Sequence, residues 1–173
     1  MTATTASGLN QVNLQAVGGL VEAISAEPAK AHTTWAADVR WTGAFRSESK
    51  VREFGPVPSD EPSGMGGSDT APNPVEQLLA SLGNCLAVGY AANASVAGIE
   101  IKDLNINVEG DIDLRAFLGI QPGHAGFSAI RATVDLVSDA EPEAVAALHQ
   151  RVAATSPVGN TLSAAVDVSI NPA

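Results

Sequence analysis

Residues 74–97, PVEQLLASLGNCLAVGYAANASVA, decide how this chain folds. Val75, Leu78, Leu79, Leu82, Cys85, Leu86, Gly89 and Asn93 recur at three- and four-residue steps, the repeat that gathers side chains on one face of a helix. The spacing predicts a helix from Pro74 to about Ala97. Asn73 can cap it, Pro74 suits its first position, and Glu76 falls where a capping box wants an acid. Gly98 supplies the stop. Ala80, Gly83, Ala87, Val88 and Ala91 fill the other faces, so the helix is apolar all round and reads as a central one packed on several sides. At 1.5 Å per residue it spans roughly 36 Å.

Upstream, residues 55–74 are rich in Gly, Pro, Ser and Asp and read as a long loop, the kind that is functional or mobile in a compact domain. Before the loop, Trp35, Ala37, Val39 and Trp41 alternate with Ala36, Asp38 and Arg40, which predicts a half-buried strand over 33–42. Gly43-Ala44 turns the chain into a second strand over 45–54, making a hairpin. Residues 1–30 read as a tail followed by a weak helix over 10–26, and residues 31–173 as the domain proper. Downstream, Leu104, Ile106 and Val108 mark a strand, residues 110–127 a second long connection, and Ile130, Ala132, Val134 and Leu136 another strand. Residues 141–154 read as an amphipathic helix with Pro142 in its first turn, and Val166, Val168 and Ile170 as a last short strand. The order β-β-α-β-β-α-β is α+β, with helices laid on one side of antiparallel sheet.

Composition narrows the partners. The formal net charge is −10, and the nine Lys and Arg residues form no run. That argues against nucleic acid and against anionic membrane surfaces, both of which reward clustered cations. No stretch reads as a membrane span, and residues 1–8 lack the basic and apolar blocks of a signal peptide, so the expected compartment is the cytoplasm. His32, His124 and His149 have no ligand spacing, and the glycines at 64–67 lack the lysine of a phosphate loop. No metal or cofactor is expected. Asp60 and Glu61 read as loop acids, His149 as a solvent-facing residue, and Ser156 as a helix-terminus residue before Pro157.

Cys85 is the only cysteine, so no intrachain disulfide can form. If the chain performs chemistry, this thiol is the candidate nucleophile; the plainer reading is a small hydrophobe on an apolar helix. Burial raises a thiol pKa, and Cys85 lies too far into its helix to gain much from the N-terminal dipole. A cation has to come from elsewhere, and Arg40, Arg46 and Arg52 on the hairpin are the local supply.

Three blocks carry a family resemblance: Asp60-Glu61-Pro62, Gly66-Gly67-Ser68-Asp69 and the run from Pro72 to Cys85. Together with Ser156-Pro157-Val158-Gly159-Asn160-Thr161-Leu162, they resemble the OsmC/Ohr family from about Thr33 to the C-terminus. The resemblance implies an OsmC-like fold in an intertwined homodimer, with two long central helices packed together and sites at the subunit interface. It implies thiol-based reduction of organic hydroperoxides, in which a cysteine becomes a sulfenic acid. Carried over by position, Cys85 matches the reacting cysteine and Arg46 is the nearest match to the arginine that lowers its pKa. Glu76 is the candidate for the glutamate that holds the arginine, although it falls one residue late and also suits a capping role. Ser156 stands where the family has its resolving cysteine, so a two-cysteine cycle is unavailable and an external thiol reductant is expected. The alternative is a dimer of this fold that binds a small hydrophobic or thiol-bearing ligand without turnover.

Overall fold

The computed structural model describes residues 8–172. The described residues divide into two compact units, residues 18–78 and a second unit built from residues 8–17 and 79–172.

In the first unit, strands β1 (Asp38–Gly43), β2 (Arg46–Lys50) and β3 (Val57–Ser59) form an antiparallel sheet in sequence order. Gly43 at φ +118° and Ala44 at φ +50° make the tight turn that pairs Gly43 with Arg46. The hairpin was expected to be half-buried; instead Trp35, Val39, Trp41 and Phe45 are all exposed, because nothing in the described chain covers that apolar face. The loop after β3 is tied to itself. Asp60, 1 % exposed, accepts hydrogen bonds from the backbone N–H groups of Glu61, Ser68 and Thr70 and from the Thr70 hydroxyl. It is therefore more than a loop acid. Burial pushes its carboxyl up, but the bonds from Thr70, Glu61 and Ser68 outweigh that and hold it below the usual range. Gly67 makes this closure possible, since a Cβ there would lie 1.8 Å from the Glu61 carbonyl oxygen.

Helix α1 (Leu14–Ala26) starts four residues later than the spacing suggested, behind a 3-10 turn at Leu9–Gln11. Helix α2 runs Pro74–Ala97, the span its sequence predicts. Its start is a reciprocal capping box: the Glu76 N–H donates to Asn73 Oδ1 at 2.9 Å, and the Asn73 N–H donates to Glu76 Oε2 at 2.8 Å.

In the second unit, β4 (Asp103–Ile112) and β5 (Phe127–Val137) form a two-stranded antiparallel ladder, joined through the one-turn α3 (Leu114–Phe117). Helix α4 (Pro142–Thr155) and the short α5 (Pro157–Ser163) follow. Tyr90, Ala94, Ile99, Leu148 and Val152 are the buried core, with Leu104, Ile106, Val134 and Leu136 of the ladder packed on it. Gly89 lets α4 approach α2, for a Cβ on it would sit 3.0 Å from Val152 Cγ1. Helix α2 meets α4 at Gly89 and β4 at Gly83, but it is not covered all round, since Val88 and Val96 are exposed. No strand forms at the C-terminus: Val166, Val168 and Ile170 lie in extended, exposed chain with no ladder partner among the described residues. Alternation marks a segment able to form a strand, but the strand itself requires a neighbour. The architecture is α+β, with antiparallel sheet and helices.

Candidate functional site

The buried stripe of α4 consists of Leu148 and Val152 and continues to Ser156, which joins α4 to α5. These residues are four apart, so they share a helix face. Ser156 is 3 % exposed, and its hydroxyl oxygen lies 3.3 Å from Cys85 Sγ. The Gly159 N–H donates to the same Ser156 oxygen at 3.1 Å, the N-cap bond of α5. A Cβ on Gly159 would crowd that oxygen at 3.1 Å. The Asn160 side chain also donates to the Ser156 carbonyl at 2.8 Å, fixing the joint from a second direction.

Either group can be the donor in the Cys85–Ser156 contact. Gly159 occupies one lone pair of the hydroxyl, which leaves its proton to donate to sulfur and its second lone pair to accept from the thiol. Cys85 is half-buried in the middle of α2.

Beside the joint opens a cleft of about 730 Å³. Leu82, Leu86, Phe127, Ile130, Val134 and Leu162 supply its apolar wall, and Ser156 reaches it from the Cys85 side. Tyr90 and His149 line it as well. The Tyr90 hydroxyl and His149 Nδ1 are 2.6 Å apart, and their rings meet edge to face with centroids at 5.5 Å. Burial pushes the Tyr90 phenol above its usual range. His149 thus does not face solvent as expected; it is half-buried and bonded across to α2.

The model of the OsmC-like protein family matches residues 66–171, more than half of the chain. The chain belongs to the OsmC-like family. Solved structures agree on the fold. An OsmC-like protein from Mycoplasma pneumoniae superposes with a TM-score of 0.66 at 19% identity, covering 76% of this chain and 88% of that one. An organic hydroperoxide resistance protein OsmC from Legionella pneumophila gives 0.59 at 16% identity, covering 76% and 91%. An organic hydroperoxide resistance protein from Elizabethkingia anophelis gives 0.57 at 18%, covering 74% and 88%. The comparison with curated proteins finds no match.

Within this OsmC-like chain, the residues singled out from sequence have separate settings. Cys85 meets Ser156. Arg46 begins β2 in the hairpin unit, exposed and in no ion pair among the described residues. Of the other hairpin arginines, Arg52 stacks on the Phe54 ring at 4.7 Å, and Arg40 stands opposite Glu48 in the ladder. Glu76 bonds the first turn of its own helix. The Cys85–Ser156 contact and the Tyr90–His149 pair escaped sequence reading, since each joins residues roughly sixty to seventy positions apart. No group of three or more His, Cys, Asp and Glu side chains among the described residues could hold a metal ion, and no helix is long and apolar enough to cross a membrane.

Proposed function

We propose that this OsmC-family protein reduces organic hydroperoxides by a one-cysteine thiol cycle, in the cytoplasm and as a homodimer. The observation that carries the reading is the Ser156 hydroxyl at 3.3 Å from Cys85 Sγ, close enough to donate to a thiolate. Two relatives of the same fold bear the name organic hydroperoxide resistance protein.

The Cys85 thiolate attacks the distal oxygen of the hydroperoxide, R–O–O–H. An S–O bond forms, the O–O bond breaks, and sulfur loses two electrons to become a sulfenic acid. The alkoxide leaves and takes up a proton as the alcohol R–OH. Arg46 is assigned as the guanidinium that lowers the thiol pKa and meets the charge developing on the peroxide. Ser156 donates to the thiolate before attack. Its hydroxyl cannot displace oxygen from the sulfenic acid to make a disulfide, so two equivalents of an external thiol, from a small dithiol or a thioredoxin-like donor, return Cys85 to its reduced form with release of water.

The homodimer is supported by apolar surface that the chain leaves bare: Trp35 and Trp41 on the hairpin, Val88 and Val96 on α2, and Val168 and Ile170 at the C-terminal end. Exposed apolar surface on this scale marks an interface.

Stopped-flow mixing with cumene hydroperoxide, followed by dimedone trapping, tests the chemistry. One sulfenic acid per chain, formed well above the rate of free cysteine, is expected. Oxidation no faster than free cysteine overturns the reading and leaves the alternative of a binding dimer without turnover.

A further inference from the structure

The cleft beside α4 contains no Lys, Arg, Asp or Glu in its lining, in a chain of net charge −10. Such a wall offers nothing to pair with a carboxylate or an ammonium group, and desolvating either there would be costly. Its volume lies inside the range of about 300–1,000 Å³ typical of small-molecule sites, and its wall is mainly aliphatic. Of its polar side chains, Ser128, Asn160 and Ser163 donate to backbone carbonyls and Ser156 meets Cys85, which leaves the Tyr90–His149 pair to a ligand.

That pair has a definite hydrogen-bonding character. If His149 Nδ1 accepts from the Tyr90 hydroxyl, the phenol oxygen keeps a lone pair and Nε2 carries a proton. If Nδ1 donates instead, the phenol proton is free and Nε2 accepts. In either tautomer the pair offers the cleft one donor and one acceptor, and neither group has another hydrogen-bond partner among the described residues. A hydroxyl or hydroperoxyl head matches both; an ether or ester matches only the donor.

We propose that the cleft binds uncharged aliphatic molecules with an O–H head, the head seated on Tyr90 and His149 and the chain lying along Leu82, Leu86, Phe127 and Val134. Neither Tyr90 nor His149 belongs to the thiol cycle, and binding is independent of any reaction at Cys85.

The test titrates the reduced full-length protein with 1-octanol, 1-methoxyoctane and octanoate, using calorimetry and the His149 ring signals in a 1H–13C NMR spectrum. Octanol is expected to bind and shift the His149 signals, with about fivefold preference over the methyl ether for the one hydrogen bond lost. Octanoate is expected to bind more weakly still. Tyr90→Phe keeps ether binding but removes the preference for octanol. If that variant binds neither molecule, His149→Gln is judged by the same ratio. No octanol binding by the wild type, a cleft closed by a second copy included, overturns the proposal. So does an unchanged octanol-to-ether ratio in the variants. Because no hydroperoxide is used, failure here is separate from failure of the thiol cycle.

Discussion

Replacing Ser156 by cysteine should restore to this chain a disulfide that its sequence forbids. The Ser156 oxygen already stands 3.3 Å from Cys85 Sγ. A disulfide needs sulfurs about 2.05 Å apart, and the longer C–S bond of cysteine carries the new sulfur toward its partner. The bridge would close a loop between residues 71 apart in sequence. By the chain-entropy relation, a loop of that size stabilises the folded state by about 4.4 kcal/mol. Ser156 also caps α5 through Gly159, and a thiol is a poorer acceptor, so about 1 kcal/mol is lost. The net expectation for oxidised Ser156→Cys is about 3 kcal/mol over the wild type, and about 4.4 kcal/mol between its oxidised and reduced forms. Urea unfolding with and without dithiothreitol measures it, and intact-mass analysis confirms loss of two hydrogens. In the peroxide assay, the sulfenic acid of the variant should condense internally and escape dimedone. Two free thiols persisting under mild oxidant, or a bridge that destabilises the fold, would refute the placement of Ser156 against Cys85.

Three further outcomes follow from the packing. Gly89→Ala pushes a methyl group toward Val152 and should destabilise by about 1–2 kcal/mol, as overpacking offsets the helix propensity gained. Made in a Val152→Ala background, the same change should become stabilising by up to about 1 kcal/mol; a double-mutant cycle by denaturant unfolding reads the change of sign. Asp60 has a lowered folded-state pKa, so its stabilisation is fully present above the unfolded carboxylate range and is lost as pH falls through the folded value. Amide exchange at Ser68 and Thr70 should therefore accelerate in acid, and Asp60→Asn should show that acceleration already at neutral pH. Val88→Asp, on the bare face of α2, should shift sedimentation toward monomer by at least about tenfold in dissociation constant without unfolding the chain.

What could be read from sequence separates by the range of the cause. Helix α2 was legible to its ends because its signals are local: Asn73 and Glu76 cap each other, Pro74 fits the first turn, and Gly98, at φ +72°, stops it. The α4 helix and the β4–β5 ladder were legible for the same reason, from periodicity within one segment. The C-terminal strand was not, since Val166, Val168 and Ile170 alternate but find no ladder. The hairpin's burial failed likewise: alternation identifies the apolar face without saying what meets it. His149 was misplaced because it lies one residue off the Leu148–Val152 stripe, and Tyr90, which draws it inward, belongs to a different helix. Asp60 looked like any loop acid because its donors are backbone N–H groups, and these leave no mark in a sequence.

Ser156 links these two levels. As a helix N-cap it needs only an acceptor oxygen, and any residue suited to the start of α5 would serve. As the neighbour of Cys85 it can also offer a donor, because Gly159 occupies one lone pair of the hydroxyl and not the proton. A cysteine in this position would trade the hydrogen bond for a covalent partner, removing the thiolate's donor once the bridge forms. A serine keeps the donor and gives up resolution. In the proposed cycle, resolution therefore falls to a thiol from outside the chain. Ser156→Ala separates the two roles from Ser156→Cys, for it removes the donor without offering a sulfur. Such a variant should oxidise more slowly at Cys85 and still release its sulfenic acid only to an external thiol.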